Sequence, residues 1–141
     1  MIRKYEEGDL EELLDVWYQA SLVAHPFLGE EFFTQERENI RTVYMPVAET
    51  WVFEDAGRVV GFISLLDNEV GGIFVYPDWQ GKGVGRSLMD KAGESHQALE
   101  LEVYAENKNA RRFYERYGFV AFKEFPHEET GHSLLRMRLE K

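Results

Sequence analysis

The stretch of this chain best suited to hold a charged ligand is Gln80-Gly81-Lys82-Gly83-Val84-Gly85-Arg86-Ser87. An apolar run, Ile73-Phe74-Val75, precedes it and reads as a buried strand ending at Pro77, which cannot donate to a ladder. Leu88, Met89 and Ala92 follow at helical spacing. A strand, a glycine turn and a helix start aim several backbone N–H groups at one spot. The first N–H groups of a helix lack internal partners, and the helix dipole adds positive potential there. Such a spot suits a phosphate or pyrophosphate, with Lys82 and Arg86 adding charge. Two familiar phosphate loops do not fit. A Walker-type loop needs glycine where Tyr76 stands and Ser or Thr where Gly83 stands. A dinucleotide fingerprint starting at Gly81 needs its third glycine where Arg86 stands. A purely structural glycine turn remains compatible with the local pattern.

A second stretch, Asn107-Lys108-Asn109-Ala110-Arg111-Arg112-Phe113-Tyr114-Glu115-Arg116-Tyr117-Gly118-Phe119, reads as a short helix. Ala110, Phe113, Tyr114 and Tyr117 recur at three- and four-residue spacing, and Gly118 supplies the C-cap. Asn107 suits an N-cap. A tyrosine phenol, with a pKa of about 10, is protonated at neutral pH and can serve as a general acid.

Together the two stretches resemble the GNAT superfamily of acyl-CoA-dependent N-acetyltransferases. The first is similar to its Gln/Arg-x-x-Gly-x-Gly/Ala pyrophosphate loop, and the second matches its Asn-x-x-Ala-x-x-Phe-Tyr-x-x-x-Gly-Phe element without a substitution. The resemblance implies acetyl-CoA as cosubstrate and an amine as acceptor. It places Tyr114 beside the cofactor sulfur as general acid; the same spacing also suits a core tyrosine, as Tyr117 is expected to be. Asn107 and Ala110 would hold the pantetheine arm, and a backbone N–H of Phe74 or Val75 would serve the oxyanion. Glu69, on the strand before the glycine loop, is the implied general base, although a solvated strand end reads the same way. His25, Phe27 and Tyr104 would lie on the acceptor side, with His25 and Tyr104 as reserve bases; a helix-end histidine bonding a carbonyl is the plainer reading of His25.

The elements that must position these residues follow from pattern. Residues 2–5 suit a first strand. Asp9, with Glu12 three residues on, has capping-box spacing for a helix whose inner face carries Leu10, Leu13, Leu14, Trp17, Ala20 and Ser21. Pro26 ends that helix, and a second spans Glu31 to about Val43. Residues 51–54 and 58–66 form a hairpin around Asp55-Ala56-Gly57. Asp67-Asn68 is the next turn, and Glu69 begins the strand into the glycine loop. Residues 99–104, 119–125 and 132–139 supply three further strands. The order is β, α, α, β, β, β, α, β, α, β, β: an α/β (α+β) fold. The resemblance implies a mixed, largely antiparallel sheet with one parallel pair, splayed at residues 73–75 and 101–104, flanked by about four helices.

At 141 residues the chain is one domain with room for a core, and 44% hydrophobic residues argue against disorder. No cysteine is present, which excludes disulfides, thiolate metal sites and a cysteine nucleophile. No metal is implied, because His25, His96, His127 and His132 lack ligand spacing. A net charge of −10 is a poor surface for nucleic acid and a favourable one for a cationic amine. No signal-peptide core or membrane-length run is apparent, so a cytoplasmic protein is expected. The leading expectation is direct acetyl transfer to a primary amine, such as a protein lysine, a protein N-terminus or a small amine, by a monomer or homodimer. A non-catalytic acyl-CoA sensor and an unrelated nucleotide-binding domain are the alternatives.

Overall fold

The computed structural model describes residues 1–140. Seven strands, β1 (Ile2–Lys4), β2 (Glu49–Asp55), β3 (Arg58–Leu66), β4 (Glu69–Val75), β5 (Ala98–Tyr104), β6 (Val120–Pro126) and β7 (Ser133–Glu140), form one sheet in the order β1-β2-β3-β4-β5-β7-β6. Four helices flank it: α1 (Leu10–Ala24), α2 (Glu30–Asn39), α3 (Val84–Gly93) and α4 (Lys108–Tyr117). The element order and mixed sheet match the sequence-based expectation. No helix among the described residues is long and apolar enough to cross a membrane.

Strand alternation sends side chains to both faces, and each face has its own core. Leu99, Leu101 and Val103 pack with Leu88, Met89 and Ala92 of α3 and Tyr114 of α4. On the opposite face Val52, Val60 and Phe62 meet Leu13, Val16 and Trp17 of α1 and Phe33 of α2. The β2–β3 hairpin turns through Ala56 at φ 51° and Gly57 at φ 79°, the positive pair that a two-residue turn of matching twist requires.

The start of α1 differs from expectation. Asp9 makes no side-chain cap to α1. Arg3 forks its carboxylate at 2.9 Å on each oxygen, and the Glu6 N–H donates to it at 2.8 Å. Asp9 therefore closes a one-turn 3-10 helix before α1, and Glu12 instead accepts the Val59 N–H at 3.1 Å. The second helix is also shorter than expected: α2 ends at Asn39, and a π-helical turn carries residues 40–44.

The feature that makes a site is the joint between β4 and β5. They are the sheet's parallel pair, and they are in register only at Glu69↔Glu100 and Val70↔Leu101. Gly71 is an extra residue in β4, since Leu65 faces Val70 while Ser64 faces Gly72. Such a bulge bends a strand and raises its twist. Beyond it β4 follows β3 and leaves β5.

Candidate active site

The divergence opens a cleft of about 860 Å³, lined by β4 from Val70 to Val75, the glycine loop, α4, and the ends of α1, α2 and β5. Parity shows which β4 groups face it. Tyr76 donates its N–H to Val60 O at 2.9 Å, so Tyr76 and Phe74 turn their backbone groups toward β3. Val75 and Ile73 then face the cleft. The Val75 carbonyl confirms this, because the Gln80 side chain donates to it at 3.1 Å. Of the two expected oxyanion donors, Phe74 is directed into the sheet and Val75 into the cleft.

The glycine loop ends at an uncapped helix. Gly83, at φ 86°, is the N-cap residue of α3; its carbonyl accepts the Ser87 N–H at 3.0 Å, and no side chain caps the end. Gly81, at φ 77°, is likewise in the left-handed region that only glycine enters freely. The N–H groups of Val84, Gly85 and Arg86 are thus left for a ligand, at the positive end of the helix. Gly85 lets α3 approach α4: a Cβ there would lie 3.3 Å from the Phe113 ring. Gln80, Gly81, Gly83, Gly85 and Arg86 line the cleft, while Lys82, Val84 and Ser87 do not. Lys82 stands over the Trp79 ring at 5.2 Å, and Val84 is buried in the core.

Across the cleft, Asn107 caps α4, its Oδ1 accepting the Ala110 N–H at 3.2 Å. Its Nδ2 lies 3.1 Å from His25 Nε2. Because Oδ1 faces a donor, Nδ2 must donate and His25 Nε2 must accept, which puts the proton of the neutral ring on Nδ1. Burial pushes His25 down to about 4, so the ring is neutral and its one lone pair is engaged. That arrangement does not suit a base. His25 and Tyr104 stack edge-on at 5.1 Å and both line the cleft. Phe27 lies behind them, 5.4 Å from Tyr104 and 4.6 Å from His132.

Tyr114 is buried, at 8% exposure, and lines the cleft, yet its hydroxyl has no hydrogen-bond partner among the described residues. Burial raises its phenol above the ordinary value, which keeps the proton in place at neutral pH. Tyr117 is less buried than a core residue. It lines the cleft, and its hydroxyl donates to Asp90 at 2.5 Å.

Glu69 is placed against its expected role as general base. It stands where β4 and β5 are still paired, before the cleft opens, and is absent from the lining. Arg136 donates to both its oxygens and also binds Glu100 and Glu102. A carboxylate whose oxygens are held by a guanidinium has little left for a substrate proton. Glu36 of α2, by contrast, does line the cleft, as do Arg112 and Arg116 of α4. The spacing Phe33, Glu36, Ile40 places a carboxylate on the inward face of α2, a signal present in the sequence.

The acetyltransferase (GNAT) domain model matches residues 15–141. The chain belongs to the GNAT family of acetyltransferases. It is 32% identical over 120 residues to the peptidyl-lysine N-acetyltransferase YiaC of Escherichia coli K12, covering 84% of this chain and 82% of the relative. The peptidyl-lysine N-acetyltransferase YjaB of the same organism is 33% identical over 117 residues, covering 82% and 78%. The solution structure of apo YjaB from Escherichia coli superimposes with a TM-score of 0.86 over 98% of this chain and 95% of that one, at 28% identity. The PaiA N-acetyltransferase of Thermoplasma acidophilum, solved in complex with coenzyme A, shares the fold at TM-score 0.75 and 18% identity, covering 100% and 98%. In this GNAT acetyltransferase the splayed sheet, the glycine loop and the tyrosine-bearing helix meet in one cleft.

Proposed function

We propose that this enzyme transfers the acetyl group of acetyl-CoA to lysine side chains of proteins by direct attack within a ternary complex. The observation that carries the reading is Tyr114: a buried phenol in the cleft whose hydroxyl has no hydrogen-bond partner among the described residues, between an uncapped helix start and a free strand edge. The two relatives named as peptidyl-lysine N-acetyltransferases support lysine as the acceptor.

The residues divide the work by chemistry. The α3 N-terminal amides and Arg86 suit the pyrophosphate, and Arg112 and Arg116 add positive charge on the same wall. The cleft-facing backbone of Ile73 and Val75 offers hydrogen bonds to the amides of the pantetheine arm and to the oxyanion formed on attack. Asn107 braces the start of α4 and holds His25 between the two halves of the cleft. Tyr114 gives its proton to the sulfur as the carbon–sulfur bond breaks, and the amide nitrogen returns a proton to the phenolate. No covalent acyl-enzyme is needed, and no cysteine is present to form one.

The test is a competition among acceptors. Acetyl-CoA is offered with a lysine peptide blocked at its N-terminus, a lysine-free peptide with a free N-terminus, and a polyamine, with thiol release and product mass recorded. Acetylation of the lysine ε-amine with one thiol released per product is expected. Modification confined to the N-terminal peptide or the polyamine would overturn the lysine assignment, and absence of thiol release with every acceptor would overturn the reaction.

A further inference from the structure

With Glu69 held by Arg136, the amine still has to lose a proton before attack, since a lysine ammonium has a pKa of about 10.4. Two carboxylates line the cleft, Glu36 and Glu102; Arg136 binds Glu102 at 3.1 Å, and no guanidinium or ammonium binds Glu36 among the described residues. We propose that Glu36 receives the substrate ammonium and takes its proton, which makes the acceptor a primary ammonium carried on a chain long enough to reach between α2 and β5. This inference rests on the amine-acetylating reading above.

Glu36 lines the cleft on the inward stripe of α2, one turn from Phe33 and one from Ile40. Asn39 donates to its Oε1 at 3.3 Å, and Gln35 in turn donates to Asn39 Oδ1 at 3.1 Å. One oxygen is thereby steadied, while Oε2 has no partner among the described residues. No salt bridge to Glu36 exists among them either. The neighbouring cation on α2, Arg37, is spent on the rings of Trp17 at 5.7 Å and Tyr18 at 5.0 Å. The groups facing Glu36 come from three other segments: Glu129 and His127 from the loop before β7, Tyr44 from the turn after α2, and Tyr104 from β5. His127 Nδ1 accepts the N–H groups of Glu129 and Thr130 at 3.1 and 3.3 Å, which ties the ring to its own loop. Two carboxylates and two phenols, with no salt bridge to Glu36 among the described residues, form a receptor for a cation. Burial, with Glu129 adding to it, raises the Glu36 carboxyl above the ordinary range, while Asn39 and His127 oppose the rise. A carboxylate so placed is a stronger proton acceptor than one in water.

The protons balance. One leaves the ammonium for Glu36 and passes to solvent. The nitrogen lone pair forms the carbon–nitrogen bond, the carbon–sulfur bond breaks, and the nitrogen's second proton is transferred to sulfur through Tyr114. One amide hydrogen remains.

The test compares wild type with Glu36→Gln and Glu129→Gln on a blocked lysine peptide from pH 6.5 to 9.5, with acetyl-CoA affinity measured by calorimetry. For Glu36→Gln, kcat/KM at pH 7 is expected to fall about 100-fold, the lower end of general-base effects. The deficit should shrink as pH rises and free amine accumulates, while acetyl-CoA affinity stays unchanged. Glu129→Gln, which removes the receptor's other carboxylate, should raise the peptide KM and lower kcat far less than Glu36→Gln does. A Glu36→Gln enzyme with the wild-type rate and pH profile would overturn the Glu36 assignment alone. A wild-type enzyme that acetylates no lysine peptide would overturn the acceptor reading and this inference with it.

Discussion

His25 couples the acid stability of the fold to its cleft. Burial lowers its pKa from the ordinary 6.5 to about 4, and Asn107 occupies its only lone pair. A base whose folded pKa is depressed favours the fold fully above its unfolded pKa. Below it the unfolded chain takes up a proton that the folded one refuses, so stability is lost as pH falls from about 6.5 toward about 4. Linkage gives about 0.2 kcal/mol lost already at pH 7 and about 2 kcal/mol at pH 5, a difference of roughly 2 kcal/mol from this one ring. For a chain of this size that is a shift of roughly 5–8 °C in Tm. The carboxylates also titrate in acid, so the comparison must be with a variant that shares them. His25→Gln keeps a neutral side chain that can accept from Asn107 and has no proton to gain. Urea unfolding followed by circular dichroism at pH 7 and pH 5 should show wild type losing about 2 kcal/mol more than His25→Gln. Equal losses, within the ~0.5 kcal/mol scatter of such comparisons, would refute the buried neutral histidine.

Three other outcomes follow from the same geometry. Gly83→Val should raise the acetyl-CoA Kd at least tenfold, a change of about 1.4 kcal/mol, because a β-branched residue is strained at φ 86° and the α3 amides would turn away; an unchanged Kd by calorimetry would contradict the phosphate site. Glu69→Gln should leave turnover at the wild-type value and lower stability by about 1 kcal/mol or less, since Arg136 keeps Glu100 and Glu102; a rate loss that closes at high pH would restore Glu69 as base. Leu88→Ala, at a fully buried α3 position, should cost about 3 kcal/mol in urea unfolding, and a loss below about 1 kcal/mol would mean that α3 is less firmly packed than its burial indicates.

Much of the fold was legible because its signals are local. Period-two and period-3.6 patterns order the eleven elements, and Asn107 and Gly118 bracket α4 as its sequence implies. Long-range partners were not legible. Asp9 has the spacing of an α1 cap, but Arg3 captures it and extends to Glu54 on β2. Glu69 stands on the strand where a base is expected, yet the strands separate only after Val70, and Arg136 comes from a strand 67 residues later. Lys82 has the charge a phosphate loop invites, and the Trp79 ring takes it. The choice between Phe74 and Val75 depends on which edge of β4 bonds to β3, a property of pairing that neither residue carries by itself. Glu36 was within reach of sequence reasoning, as a charged residue at an apolar position of an amphipathic helix.

The central claim is acetyl transfer with Tyr114 as the proton donor to sulfur. The most direct measurement is kcat for acetylation of a blocked lysine peptide, alongside the acetyl-CoA Kd, in wild type and Tyr114→Phe. Removing only the phenolic hydroxyl should lower kcat by about 100-fold or more with the Kd essentially unchanged. Wild-type turnover in Tyr114→Phe, or lost cofactor affinity with turnover intact, would contradict it.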